Sequence, residues 1–137
     1  MKVVLDTNVL VSGIFFGGPP DRILRAWRDG KVQLTVSLEI LAEYRQVALR
    51  LHQKHKDIDI LPLLDLIAVH SRLVLAAPLP KPVCADPKDD MFLACALASG
   101  TRMVVSGDRH LLTVSGFAGI RVLRPKAFVD QYLQSSD

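Results

Sequence analysis

Four acids in this chain stand where a polar group needs a reason. Asp6 ends the apolar run KVVL, Glu43 lies within SLEILAEY, Asp90 leads into the apolar segment MFLACALA, and Asp108 follows VVSG. Singly, an Asp is most often a turn residue or a helix cap. Together, the four suggest another chemistry. Carboxylates held a few ångströms apart repel, so some take up protons unless a cation sits between them. Oxygen-only ligands select hard ions, and a small all-carboxylate site that keeps several waters suits Mg²⁺ or Mn²⁺. Ions held in this way activate water and align the attacking and leaving oxygens of a phosphodiester. Metal-assisted phosphodiester hydrolysis is the chemistry these residue types favour.

Whether the acids meet depends on the elements that carry them. KVVLD reads as a short buried strand, and PDRILRAWRD (20–29) as a helix opened by Pro and closed before Gly30. VQLTV (32–36) has β-branched residues at alternate places, as a strand does. Ser37 can cap a long helix over 38–52, on which Ile40, Leu41, Tyr44, Val47, Ala48 and Leu51 form one stripe. A helix over 57–70 tolerates Pro62 only near its first turn, and RLVLAA (72–77) reads as a third strand. The Pro-rich stretch APLPKPVCADP (77–87) is the clear loop. After it come the helix DDMFLACALASG ended by Gly100, the strand RMVVS (102–106), a helical turn at 108–113, the strand IRVL (120–123) and the helix PKAFVDQYL.

This alternation predicts a Rossmann-like α/β/α sandwich with a central parallel sheet, as one domain over residues 1–137. In such a sheet the strand C-termini open on one edge, the returning helices begin there, and ligands bind in that crevice. Asp6 ends the first strand, and Asp108 follows the fourth. Asp90 and Glu43 lie early in helices that start at the same edge. The topology therefore allows all four to converge.

Composition narrows the class. Half of the 137 residues are apolar and 23% are charged, which predicts a packed core rather than disorder. No apolar run approaches a membrane span, and Lys2 and Asp6 frame a run unlike a signal peptide, so the cytoplasm is the expected compartment. Cys95 lies in a very apolar segment, so reduced thiols are expected at Cys84 and Cys95. The net charge of +3 becomes a larger excess once the candidate acids are committed to a metal, and this favours polyanions. Arg22, Arg25 and Arg28 recur along one helix as a phosphate-tracking ridge or an ordinary outer face. Arg109 and His110, beside Asp108, are further candidate phosphate contacts. His52 and His55 belong to the basic run RLHQKHK, expected as a solvated face. Trp27 and Tyr44 are expected to pack.

Taken together, VVLDTNVLVSGIF, SLEILAEY, ADPKDDMFLACAL and VVSGDRHLL resemble the PIN-domain nucleases, and are most like the prokaryotic branch that includes the toxins of toxin–antitoxin modules. The likeness runs from about residue 2 to 125, in order and with matching spacing. The resemblance implies a PIN-like sandwich and Mg²⁺- or Mn²⁺-dependent cleavage of RNA. It makes Asp6, Glu43, Asp90 and Asp108 the catalytic acids and Asn8 and Ser106 their hydrogen-bonding supports. Asp6 and Asp90 would hold the principal ion, Asp108 would complete the site, and Glu43 would orient or deprotonate the water. If the chain is such a toxin, a cognate antitoxin is expected on the same ground, as is self-association, for which the apolar helices at 57–70 and 91–98 leave surface enough. One departure is visible: many relatives carry an Asp two places after the GD step, where this chain has His110.

Simpler roles compete at several positions. Asp86-Pro87-Lys88-Asp89 fits a helix start, with Asp86 as cap, so Asp86 and Asp89 are expected to be mainly structural. Asp90 is expected as the ligand, because the segment after it is apolar all round. Two other functions stay open: a PIN-like module that binds nucleic acid with little or no cleavage, and a phosphoryl-transfer domain with Asp6 as nucleophile.

Overall fold

The computed structural model describes residues 1–133. Five strands, β1 (Lys2–Leu5), β2 (Gln33–Val36), β3 (Arg72–Leu73), β4 (Met103–Val105) and β5 (Arg121–Leu123), form one parallel sheet in the order β3-β2-β1-β4-β5. The helices are α1 (Thr7–Phe15), α2 (Pro19–Arg28), α3 (Leu38–His52), α4 (Ile60–His70), α5 (Asp90–Ser99), α6 (Arg109–Leu112) and α7 (Pro125–Tyr132). From β1 the chain winds outward to β3 and then returns to β4 on the other side of β1. With right-handed crossovers, that reversal puts helices on both faces and gives the expected α/β/α sandwich.

The reversal also defines a switch point between β1 and β4, where open α/β sheets hold their ligands. The register there is fixed by Val4 opposite Val104 and Leu5 opposite Val105. Asp6 continues the ladder by donating its backbone N–H to Val105 O at 3.1 Å, so Asp6 and Ser106 leave the sheet side by side.

The central strands are apolar because both of their faces are covered. Val3, Val4, Leu34, Val36, Val104 and Val105 are all buried. The helix α5 lies against β1, β2 and β4, which explains why Phe92 to Ala96 are buried all round. A smaller cluster of Val11, Ala48, Ile60 and Leu64 joins α1, α3 and α4.

Three elements differ from the sequence reading. Residues 7–15 form a helix that the pattern TNVLVSGIF hid, because Thr, Val and Ile favour strands and Gly13 weakens a helix. Gly13 is there for contact: a Cβ at this position would sit 2.7 Å from Leu24 Cδ1 and 2.9 Å from Pro20 O, so its absence lets α1 and α2 pack closely. The helix read at 57–70 begins at Ile60, which puts Pro62 in its first turn. The strand read at 72–77 pairs only at Arg72 and Leu73, with one more bond from Val74 N to Val36 O at 2.9 Å. It is an edge strand running into Pro78.

Candidate metal centre

The crevice at the switch point is built by helix caps. Asp6 caps α1, accepting Val9 N–H at 2.8 Å, while its other oxygen accepts the Ser106 hydroxyl. Ser106 Oγ in turn accepts Asp108 N–H at 2.9 Å, and Asp108 caps α6 by accepting His110 N–H at 2.8 Å. One hydroxyl thus links the acid after β1 to the acid after β4. Ser37 caps α3 through Ile40 N–H at 3.2 Å, and the buried Tyr44 hydroxyl donates to Leu5 O, tying α3 to the end of β1. Glu43, the residue before Tyr44, is thereby brought over α1, where its carboxylate accepts the Thr7 hydroxyl.

The result is a cavity of about 120 Å³ lined by Asp6, Asn8, Glu43, Asp89 and Asp108, with Thr7, Val47 and Phe92 as walls. Asp6 is 4% exposed. Burial pushes its carboxyl up to about 6, with smaller upward contributions from Asp108 and Glu43; the bonds from Ser106 and Val9 pull the other way. Asp89 is also raised to about 6, by burial and then by the carboxylates of Asp108 and Asp86. Its Oδ2 is buried and has no hydrogen-bond partner. His110 Nδ1 lies 3.7 Å from Asp89 Oδ2 and 3.8 Å from Asp108 Oδ1, longer than hydrogen bonds.

The four acids singled out in the sequence do not all meet. Asp6, Glu43 and Asp108 line the crevice, and Asp90 turns away from it. The Asp90 carboxylate accepts Cys84 N–H at 2.8 Å and Val83 N–H at 3.1 Å, closing the Pro-rich loop onto α5. Burial opposes its ionisation, but these two amides hold its pKa below the ordinary carboxylate value. Asp89, expected to be structural, faces the crevice instead. Asp86 does cap the short 3-10 turn Pro87–Asp89, accepting Lys88 N–H at 3.0 Å. Thr7, the first residue of α1, supports Glu43 through its hydroxyl.

The other candidates separate clearly. Asn8 is on the crevice rim and Ser106 is fully buried beneath it. Arg109 is exposed beside Asp108. Arg22 and Arg25 line a different cavity, with Asp29 and Lys31, and Arg25 pairs with Asp21 at 2.9 Å. Cys84 and Cys95 are free, buried thiols, both pushed by burial up to about 12.

This donor set suits a hard divalent cation. Two carboxyls raised by burial and by acidic neighbours, Asp6 and Asp89, and a buried oxygen without a hydrogen-bond partner are what a nearby cation would relieve. Among the described residues, the group that brings three donor atoms within 4.8 Å of one another is Asp86, Asp89 and His110, at one side of the crevice. No helix among the described residues is long and apolar enough to cross a membrane.

No curated protein matches the chain. Among solved structures, the chain is similar to the crystal structure of FitAcB from Neisseria gonorrhoeae, with 21% identity and a TM-score of 0.48 over 90% of this chain and 98% of that one. A family model described as a PIN domain matches residues 2–110, a span running from β1 through the acids of the crevice to His110. The chain that places these carboxylates at the switch point of its sheet belongs to the PIN-domain family.

Proposed function

We propose that this protein, as a single domain over residues 1–137, is a divalent-metal-dependent endoribonuclease acting in the cytoplasm. The observation that carries this reading is the crevice where Asp6, Glu43, Asp89 and Asp108 gather. PIN domains are generally metal-dependent nucleases, and the excess of basic residues outside the crevice favours a polyanion.

In this reading Asp6, Asp89 and Asp108 hold Mg²⁺ or Mn²⁺. An ion held by these acids would supply charge neutralisation at the scissile phosphate and a more acidic water. Glu43, fixed by Thr7, orients that water and takes its proton. Asn8 contacts the phosphate from the rim, and Ser106 positions Asp6. Arg109 and His110 stand where they can contact the substrate backbone, whereas Arg22 and Arg25 serve only RNA that extends over α2.

Purified protein should cut single-stranded RNA with Mg²⁺ or Mn²⁺ and stop with chelator, and Asp6→Asn should lose at least a hundredfold in rate. Full cleavage by Asp6→Asn in a clean preparation refutes the assignment. A second reading, a module that binds RNA with weak or no cleavage, is favoured by His110 lying near two of the acids. Saturable RNA binding without divalent-dependent turnover would select it.

The outer face of α4 supports a protein partner as part of this proposal. Leu61, Leu63, Leu66 and Val69 are exposed there, and Leu73 is exposed on the adjoining edge strand. This surface suits self-association or an antitoxin, whereas most of α5 is buried against the sheet. If the protein is a toxin, expressing it alone arrests growth and coexpressing its antitoxin relieves the arrest.

A further inference from the structure

A second cavity, of about 290 Å³, lies under the Pro-rich loop and is not used by the chemistry above. Its walls are apolar: Ala77, Pro78, Pro82, Pro87, Met91 and Ala94. That volume is at the small end for ligand sites, roughly 300–1,000 Å³, and accommodates one planar heterocycle. Two polar side chains face it, and both have unused hydrogen-bonding capacity. Glu39 has no hydrogen-bond or ion-pair partner among the described residues. Ser37 is 1% exposed; its oxygen accepts Ile40 N–H, and its own hydrogen is donated to no described group. The third polar wall, Asp90, is already occupied by two backbone amides.

The two cavities share their dividing wall. Glu39 lines one and Glu43 the other, four residues apart on α3, ~6 Å along its axis. At the start of α5, Asp90 and Met91 line the apolar cavity, while Phe92 and Asp89, the residue before the helix, line the acidic one. A single strand whose phosphate sits in the acidic crevice can therefore turn a neighbouring base into the apolar one.

We propose that the cavity under the Pro-rich loop is a subsite for one unpaired guanine base, read by Glu39 and Ser37; this rests on the reading of the substrate as single-stranded RNA. Unpaired bases are recognised on their Watson–Crick edges after being splayed from the strand. A carboxylate accepts two hydrogens from the guanine edge, at N1 and the exocyclic amine, and the serine hydroxyl donates to O6. Adenine and cytosine present a ring-nitrogen lone pair to the carboxylate, and uracil offers only one hydrogen. The proline rings and Met91 supply apolar faces for the base.

Binding can be measured separately from cleavage. Nine-residue oligouridines with G, A or C at the centre, or U throughout, are titrated by fluorescence anisotropy against full-length Asp6→Asn protein, so that turnover does not interfere. The guanine oligomer should bind about tenfold tighter or better. Adding Glu39→Gln should move the preference toward adenine, because a carboxamide offers one donor and one acceptor. Adding Ala77→Leu, at an exposed position on the cavity mouth, should level all four. Equal affinity for the four oligomers in the parent, binding of none, or a guanine preference that survives both substitutions overturns the proposal. Wild-type protein that cuts with Mn²⁺ at every base equally leaves the nuclease reading standing and this one refuted. Guanine preference without metal-dependent cleavage does the reverse.

Discussion

Asp89 and Asp90 are neighbours in the chain, yet they belong to two different regions. Asp89 closes the 3-10 turn and faces the crevice, with a buried oxygen that has no hydrogen-bond partner and a pKa raised to about 6. Asp90 opens α5 and faces the loop, with two amide donors and a lowered pKa. The contrast shows how one residue step divides structural work from chemistry. Successive side chains on a helix point about 100° apart, so a pair of adjacent acids cannot share one target. The acid that finds backbone N–H groups is satisfied by them; the acid that meets other carboxylates is left for a cation.

Substituting the two acids separately gives the largest expected contrast. Asp89→Asn should reduce metal-dependent RNA cleavage at least a hundredfold while the protein stays folded. Asp90→Asn should keep cleavage within about tenfold, with metal affinity little changed by calorimetry. Equal losses in the two variants would dissolve the distinction, and the opposite ranking would return the ligand role to Asp90.

Stability should rank the acids the other way. Asp90→Ala removes two bonds to an ionised acceptor and should cost ~2–3 kcal/mol in urea unfolding. Asp6→Asn should raise the stability of the metal-free protein at pH 7.5 by ~1–2 kcal/mol, because removing the buried charge outweighs losing one of the two bonds that the carboxylate accepts from Val9 and Ser106. A destabilised Asp6→Asn protein would mean that cap strength outweighs the burial of charge at Asp6.

A smaller and more general effect is in the pH profile. Asp6 and Asp89 titrate near 6 in the fold against 3.8 ordinarily, so the folded state holds more protons between about pH 4 and pH 6. Stability of the metal-free protein therefore falls as pH rises through that window, by on the order of 2–3 kcal/mol for the buried Asp6 and by less for the more solvent-screened Asp89, and levels off above it. Mn²⁺ should raise Tm more at pH 7.5 than at pH 5, since protonated carboxylates are poor ligands. A larger shift at pH 5 would place the ion elsewhere.

Much of this was legible from residue order. The alternating elements gave the sheet, and strand ends gave Asp6 and Asp108, because a parallel sheet gathers its strand termini on one edge. Glu43 was legible through the Ser37 cap, which sets where α3 begins. The choice between Asp89 and Asp90 was not, since it depends on the phase of a turn only three residues long and on amides contributed by a loop with no periodicity. The helix α1 was hidden by its β-branched composition, although Asp6 was readable as a cap.

The hydroxyl of Ser106 has a mechanical consequence. Its single hydrogen is committed to Asp6 while its oxygen carries the amide of Asp108, so one atom gauges the gap between two strands. A slip of either strand by one residue would break both bonds and turn the acid sideways. The spacing that a cation would meet is thus set by the side chain least able to touch it.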